Sequence, residues 1–300
     1  MTRHYLFDMS YDLYFTSPPI TSEQFGAYFS ERSLYTIGNG QAWYANEDTG
    51  VYFSFDHNDD RTADEESVKH SVVFTMNLYR PHYFALEAES EVSNFVQRFG
   101  CSIHDPQRTG MEDAPYTAEG FILAWNHSNE FGYRAILHSD SASDVVHVFA
   151  TNALEKIWHW NYFRQERDEI IAKDIFIPRI MFIQHNGLVC SSCVWPDGIT
   201  TLIPEVDFLL IPRRDLAPKT FFSGTKEDMC IIPFSEAVAT IGQYQVEGYE
   251  FNAYELPSPE TTRPIKEFVR QLKPNDAVPP AAIAMDQVLN RELVEKPRKG

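Results

Sequence analysis

Tight-turn signals between runs of strand-forming residues constrain the fold of this chain more than any other feature. Asn-Gly and Asp-x-Gly sequences readily adopt the positive φ angles that short hairpin loops need. They therefore predict antiparallel hairpins in both halves of the chain. The three signals are Asn39-Gly40, Asp48-Thr49-Gly50 and Asn186-Gly187.

Helical periodicity is less frequent than strand-like alternation. Apolar residues at three- and four-residue steps predict a helix over 86–99, ending at Gly100, and a long helix over 143–173. Thr21 or Ser22 is a typical N-cap for a short helix after the first strand. The other apolar runs of the first half are predicted as strands, at 5–15, 72–78, 121–125 and 131–137.

These elements predict an α+β fold, with two mostly antiparallel sheet lobes joined by a long central helix and followed by an extended C-terminal tail. From residue 257 onward Pro recurs and aromatic residues almost vanish, which is typical of extended chain. The predicted domains are an N-terminal α+β lobe at 1–142, the connecting helix at 143–173, a β-rich lobe at 174–256 and the Pro-rich tail at 257–300.

The charge of the chain narrows the classes of partner. There are 25 basic and 43 acidic residues, a net charge of −18. Residues 260–300 carry a net charge of +2, which leaves −20 on residues 1–259. An acidic surface of this kind repels phosphate backbones, so we expect no nucleic-acid partner and infer a basic protein partner instead.

The sequence also favours a cytoplasmic location. Its start lacks the basic and long apolar regions of a secretory signal, and no apolar run approaches the roughly 20 residues of a membrane helix. We therefore expect no membrane association. Cytoplasmic thiols stay reduced, so the four cysteines do not predict disulfides.

The densest acidic run supplies the candidate binding residues. Its spacing begins like a calcium loop, but Arg61 and Ser67 stand where glycine and glutamate are required, so an EF-hand is excluded. Two interpretations stay open: a solvated hairpin loop, or an acidic docking surface that could also hold a cation weakly. The candidate residues are Asp56, Asp59, Asp60, Asp64, Glu65 and Glu66.

The pair Cys190 and Cys193 raises three possibilities: a redox pair, half of a metal site, or two buried thiols. A predicted strand, not a helix N-terminus, carries the pair, and residues three apart on a strand face opposite sides. Neither Cys101 nor Cys230 forms a second CxxC that would complete a zinc site. The sequence therefore favours buried, reduced thiols over metal binding or redox chemistry.

Catalytic motifs do not emerge from the sequence. His104 and Asp105 are adjacent on an extended segment and so point to opposite faces, and His159 lies in an aromatic helix where a packed histidine is the common case. No nucleophile elbow, Walker A, dinucleotide-binding or zinc-protease motif is found. We expect no cofactor and lean towards a protein that is not an enzyme.

Three hypotheses of function follow. The first is a non-catalytic acidic binding protein that docks a basic protein partner, as an inhibitor or immunity-type protein does; this role is an analogy from charge and size. The second is an enzyme that acts on a small molecule in a cleft between the lobes. The third is a structural or assembly subunit that uses its tail. The sequence does not indicate the oligomeric state.

Overall fold

The computed structural model describes residues 9–58, 70–108, 110–111, 115–137, 145–171, 174–217, 219–220, 224–225, 228–274 and 280–295. Backbone contacts divide the chain into two compact units, which we name unit 1 (Met1–Leu154 with Asp286–Gly300) and unit 2 (Glu155–Met285). Helices combine with several mostly antiparallel sheets, so the predicted α+β class is confirmed. The predicted boundaries of lobes and tail stay a prediction.

The elements of the first half are β1 (Ser10–Ser17), α1 (Ser22–Ser30), β2 (Tyr35–Gly38), β3 (Gln41–Asn46), β4 (Val51–His57), β5 (Val72–Asn77), α2 (Tyr83–Phe99), β6 (Ser102–His104), α3 (Ala118–Leu137) and β7 (His147–Phe149). Those of the second half are α4 (Thr151–Tyr162), α5 (Arg164–Ile171), β8 (Met181–His185), β9 (Leu188–Val194), β10 (Thr201–Pro204), β11 (Phe208–Arg213), β12 (Lys219–Thr220), β13 (Gly224–Thr225), β14 (Asp228–Pro233), α6 (Phe234–Ile241), β15 (Gln245–Val246), β16 (Ala253–Leu256), α7 (Arg263–Gln271), β17 (Ala282–Ile283), β18 (Val288–Asn290) and α8 (Arg291–Val294).

Unit 1 is built on a six-stranded sheet in the order β2-β3-β4-β5-β1-β6, with every neighbouring pair antiparallel. Two predicted turns close its hairpins. Asn39 and Gly40 have φ angles of 52° and 76°, and Gly50 has a φ of 73°. Asn tolerates the left-handed region and Gly occupies it freely, so the turn residues fix these hairpins locally.

Helices α1, α2 and α3 cover one face of this sheet. The contact is aromatic: the Phe95 ring of α2 lies 4.8 Å from that of Phe15 and 5.0 Å from that of Phe55, and the Phe29 ring of α1 lies 5.1 Å from that of Phe55. Phe121 of α3 contacts the same face. Alternate strand residues are therefore buried beneath helices, while the residues between them face the other way.

A buried carboxylate ties α2 to the hairpin of β3 and β4. Glu87 is 1% exposed, and its Oε1 accepts hydrogen bonds from the Tyr44 hydroxyl (2.8 Å), the Asn46 amide (2.9 Å) and the Thr49 hydroxyl (3.0 Å). Charge-assisted bonds of this kind are what a buried carboxylate requires. The helix is thus held in one register along the hairpin.

The predicted strands at 121–125 and 131–137 are wrong, because both segments belong to helix α3. Its buried residues include Phe121, Trp125 and Tyr133, which recur at multiples of four and so share one helix face. Each apolar run alone is short enough to be read as a strand. Periodicity cannot separate a buried strand from part of a helix at that length.

The predicted single helix over 143–173 is also wrong. Strand β7 precedes α4, and a second helix, α5, follows Phe163; residues 143–144 and 172–173 lie outside the described residues. The Trp160 carbonyl accepts a hydrogen bond from the Arg167 guanidinium at 2.6 Å. A side chain therefore takes a carbonyl that a continuous helix would pair with the next turn, and the helix is interrupted there.

Unit 2 contains a five-stranded sheet in the order β14-β11-β9-β8-β17 and a three-stranded sheet in the order β10-β16-β15. The predicted turn at Asn186-Gly187 joins β8 to β9, with φ angles of 51° and 78°. All of these pairs are antiparallel except that of β9 with β11.

The C-terminal region contains short helices and strands within its described residues, and the predicted extent of the tail stays a prediction. Helix α7 begins just after Thr262, with Pro264 in its first turn, and buries Ile265 and Val269 on one face. Strand β17 pairs with β8 of unit 2, and β18 pairs with β7 of unit 1. Two apolar residues four positions apart, Ile265 and Val269, are enough to hold this short helix against the rest of the protein once both are buried.

Arg213 anchors α7 from within unit 2. Its side chain is 0% exposed and makes a bidentate ion pair with Asp228, with both N···O distances at 2.7 Å. Its Nη1 also donates to the carbonyls of Val269 (2.9 Å) and Leu272 (3.0 Å) at the end of α7. The guanidinium therefore satisfies helix-terminal carbonyls that lack partners within the helix.

Replacing Arg213 should destabilise the protein far more than replacing its neighbour. Arg213→Met leaves Asp228 and the carbonyls of α7 without their donor, so we expect a loss of about 3–5 kcal/mol in the free energy of unfolding. The side chain of Arg214 is exposed, so Arg214→Met removes the same charge and should change stability by less than about 0.5 kcal/mol. Urea unfolding of both variants measures the difference. Equal stabilities would show that the buried ion pair does not hold α7.

Candidate interaction face

The face of the unit 1 sheet opposite the helices carries a mixed acidic and aromatic surface, which we name the open face. Strand register places its side chains in rows, because Trp43 pairs with Ser54, Ser54 with Thr75, and Thr75 with Asp12. The residues of the open face are Asp12, Tyr14, Thr36, Gln41, Trp43, Ser54, Asp56, Val73 and Thr75.

Two carboxylates on the open face are held by neutral donors. Asp56 accepts from the Gln41 amide and from the Ser54 hydroxyl, each at 2.7 Å. Asp12 accepts from the Thr75 hydroxyl at 2.9 Å. Within the described part of the chain neither carboxylate has an ion pair, so both charges remain uncompensated while their positions are fixed.

Aromatic side chains share the open face with these carboxylates. The Trp43 side chain, in a residue that is 40% exposed, stacks on Tyr52 with ring centroids 5.7 Å apart and an interplanar angle of 20°. Arg80 donates to the Tyr52 hydroxyl at 2.8 Å, and this bond fixes the Tyr52 ring on which Trp43 stacks. Burial and the nearby Asp12 carboxylate raise the pKa of Tyr14, which therefore stays a neutral phenol.

The structure places one of the predicted binding residues on this face. Asp56 lies in β4, whereas Asp59, Asp60, Asp64, Glu65 and Glu66 lie outside the described residues. The described ends of that segment are joined, because the Asn58 amide donates to the Ser71 carbonyl at 2.8 Å. The acidic segment therefore connects the two central strands β4 and β5.

Sequence reasoning missed Asp12 and Trp43 as members of the same surface. Each is one residue of an alternating strand, and three successive strand pairings place them on the same face of the sheet. The net charge of unit 1 likewise depends on boundaries that the sequence alone does not show. Unit 1 contains 12 basic and 25 acidic residues, a net charge of −13, so it holds most of the negative charge of the chain.

The cysteines are free thiols. Cys190 and Cys193 lie on β9 as predicted, with Cys193 fully buried and Cys190 half-buried. Burial raises the pKa of both thiols, and the Asp207 carboxylate adds to the increase at Cys190. Burial also raises the pKa of Cys101 to about 11. Thiols with raised pKa values are poor nucleophiles at neutral pH.

The histidine and aspartate candidates occupy separate environments. Asp105 is fully buried and accepts from the Gln107 backbone at 3.0 Å, whereas His104 lies beside Tyr14. His159 on α4 contacts Glu250, which also accepts from Arg167 at 2.8 Å. Among the residues that the structure describes, no group of three or more His, Cys, Asp or Glu side chains is arranged to hold a metal ion.

Two further findings concern the described helices and the known proteins. None of the helices within the described ranges is long and apolar enough to cross a membrane. Comparison of the chain with protein-family models, with curated proteins and with solved structures gives no match.

Alkylation of Cys101 should depend on pH as expected for a thiol with a raised pKa. Below a pKa of about 11 the thiolate fraction rises about tenfold per pH unit, so the labelling rate in the native protein should keep rising from pH 8 to 10. Mass spectrometry of iodoacetamide-treated protein at a series of pH values measures this rate. The urea-unfolded protein is the control, because its labelling should level off near the ordinary thiol pKa of about 8.5. A plateau near pH 9 in the native protein would contradict the prediction.

Proposed function

We propose that this protein is a non-catalytic binding protein whose open face docks a basic protein partner. One observation carries the proposal: the face of the unit 1 sheet opposite the helices presents two carboxylates, Asp12 and Asp56, that have no ion pair among the described residues, together with the exposed side chain of Trp43. An inhibitor or immunity-type protein works in this way, and that role remains an analogy from charge and size.

The composition of the open face divides the binding energy between two kinds of contact. Exposed ion pairs contribute only about 0–1 kcal/mol each, so Asp12 and Asp56 would mainly speed and orient the encounter. Trp and Tyr are the residue types that most often dominate binding energy at interfaces. Trp43, backed by Tyr52, is therefore expected to supply most of the affinity.

The same composition defines the surface that would fit. A partner should present lysine or arginine groups to Asp12 and Asp56, and a cation or an apolar side chain to the ring of Trp43. The acidic residues between β4 and β5 add to the negative charge of unit 1 that would attract such a partner. Because this attraction is screened over roughly 8–10 Å at ordinary ionic strength, association should slow as salt is added.

Site-specific crosslinking tests the face while the partner is still unidentified. A photoreactive amino acid replaces exposed Thr36 in one protein and exposed Leu188, on β9 of unit 2, in a control protein, both produced in the native cells. We expect a partner to be crosslinked at position 36 and not at position 188, through a peptide with net positive charge. A neutral or acidic crosslinked peptide, equal crosslinking from both positions, or no crosslinked partner would contradict the proposal.

The captured partner then allows a quantitative test with matched charge. The double variant D12N/D56N removes two charges from the open face, and E23Q/E119Q removes two exposed charges from the helices α1 and α3. We expect D12N/D56N to lower the association rate with the purified partner about tenfold at low salt. The control should lower it by less than threefold, since those charges lie away from the contact. Equal effects of the two variants would show that only net charge matters and that the open face is not the docking site.

The other hypotheses, an enzyme with a site between lobes and an assembly subunit that uses its tail, stay hypotheses.

A further inference from the structure

A cavity on the helix-covered side of unit 1 has a chemistry unlike that of the open face. Its volume is about 710 Å³, and it lies between the segment 18–20, helix α1 and the end of α2. Cavities that bind small molecules commonly span about 300–1,000 Å³. Two of the lining residues are arginines, Arg32 and Arg98, in a unit whose net charge is −13.

The lining of this cavity is rich in hydrogen-bond donors. The Tyr28 hydroxyl is buried, and no acceptor in the described structure lies within reach of its proton. Burial raises the pKa of Tyr28 to about 12, despite the opposing effect of Arg32, so the hydroxyl keeps its proton at neutral pH. A buried hydroxyl without an acceptor is costly, and a ligand oxygen is one means of satisfying it.

The two arginines differ in what they can offer a ligand. Arg32 is held by Glu91 at 2.7 Å and lies 4.4 Å from the centroid of the Tyr28 ring. Arg98 lies 5.8 Å from the centroid of the Phe99 ring, and within the described part of the chain its guanidinium has no carboxylate partner. Arg98 therefore retains its full set of donors, and Arg32 adds positive charge in a fixed position.

Gln24 contributes a further donor because a helix cap has fixed its orientation. Its Oε1 accepts from the Thr21 backbone amide at 2.9 Å, within the capping box that begins α1. The amide nitrogen of Gln24 is consequently the group left for the cavity. Glu31 is the one acidic side chain among the described lining residues, so donors outnumber acceptors on the cavity wall.

We propose that this cavity binds a small organic oxyanion, a carboxylate or a phosphate monoester, carried on a planar apolar body. Donors from Gln24, Tyr28 and Arg98 suit the oxyanion, because guanidinium and hydroxyl groups bind carboxylate and phosphate oxygens through charge-assisted hydrogen bonds. Phe99 and the consecutive Pro18 and Pro19 supply the apolar wall. This oxyanion could belong to a free small molecule, or to a phosphorylated or acidic side chain of a peptide.

The net charge of the protein makes such binding easy to recognise. A chain of net charge −18 repels anions over most of its surface, so saturable anion binding requires a local cluster of donors. The site is separate from the open face and does not depend on the docking function. The two proposals can therefore fail independently.

Calorimetric titration of the full chain with phenyl phosphate, benzoate and inorganic phosphate tests the proposal. We expect saturable binding of phenyl phosphate and benzoate, with inorganic phosphate weaker because it lacks the planar body. Arg98→Gln should weaken phenyl phosphate binding about tenfold. The matched control is Arg134→Gln on α3, which removes another exposed arginine outside the cavity and should leave the affinity unchanged.

Tyr28→Phe provides a second variant that separates ligand binding from folding. Because the hydroxyl has no acceptor among the described residues, its removal should leave the melting temperature unchanged or raised, while it weakens phenyl phosphate binding by several-fold. Tighter binding of a phosphotyrosine peptide than of phenyl phosphate, with the same loss in Arg98→Gln, would identify a peptide as the source of the group; weaker binding would identify a free small molecule. No saturable binding of any probe, or equal affinities in the wild type and Arg98→Gln, would overturn the proposal.

Discussion

The buried carboxylate of Glu87 determines which residues of unit 1 face the helices and which face outward. It accepts hydrogen bonds from Tyr44 and Asn46, two residues of the same parity on β3. Strand side chains alternate, so these bonds require Trp43 to point to the opposite face. A register slip of one residue would bury Trp43 and leave a carboxylate in the core without donors, which costs several kcal/mol. The open face is in this sense a consequence of an interaction on the other side of the sheet.

Unit 2 uses buried charge in a comparable way. One oxygen of Asp197 accepts from three consecutive backbone amides, those of Arg214, Asp215 and Leu216, at 2.8–2.9 Å. The preceding residue, Arg213, binds Asp228 and the end of α7. Two ions of opposite sign thus fix the chain immediately after β11, one through its backbone and one through a side chain. Buried ions are weak contributors to net stability, but each allows only a few arrangements of its partners.

Features encoded within a few residues could be predicted from the sequence. The hairpin turns follow from the φ angles that Asn and Gly accept, and the end of α2 follows from Gly100, whose φ is 61°. The capping box at Thr21 is equally local. Helix α3 was missed because its two apolar runs each resemble a strand, and the break after α4 depends on a bond from the Arg167 side chain. The continuity of α3 and the bond from Arg167 both involve residues that a short window of sequence does not contain together.

The candidate sites were less predictable than the fold, because they join residues that are distant in sequence. Asp12 and Trp43 share one face of the sheet only because β1, β5, β4 and β3 pair in that order, and no sequence motif indicates this strand order. Tyr28 and Arg98 are seventy positions apart and line one cavity because α1 and α2 pack on the same face of the sheet. Asp56 alone among the predicted residues could be placed, since it belongs to a strand with a clear alternation.

The two proposed sites also differ in the range over which their charges act. The carboxylates of the open face share the sign of the −13 charge on unit 1, so the whole unit reinforces attraction of a basic partner. The arginines of the cavity oppose that charge, so an anion must be held by short-range donors rather than drawn from a distance. Exposed charges that are more than about 8–10 Å apart are largely screened at ordinary ionic strength, and this screening insulates one site from the other. At low salt this insulation weakens, and a basic protein on the open face would then favour an anion in the cavity. Linkage makes that effect reciprocal.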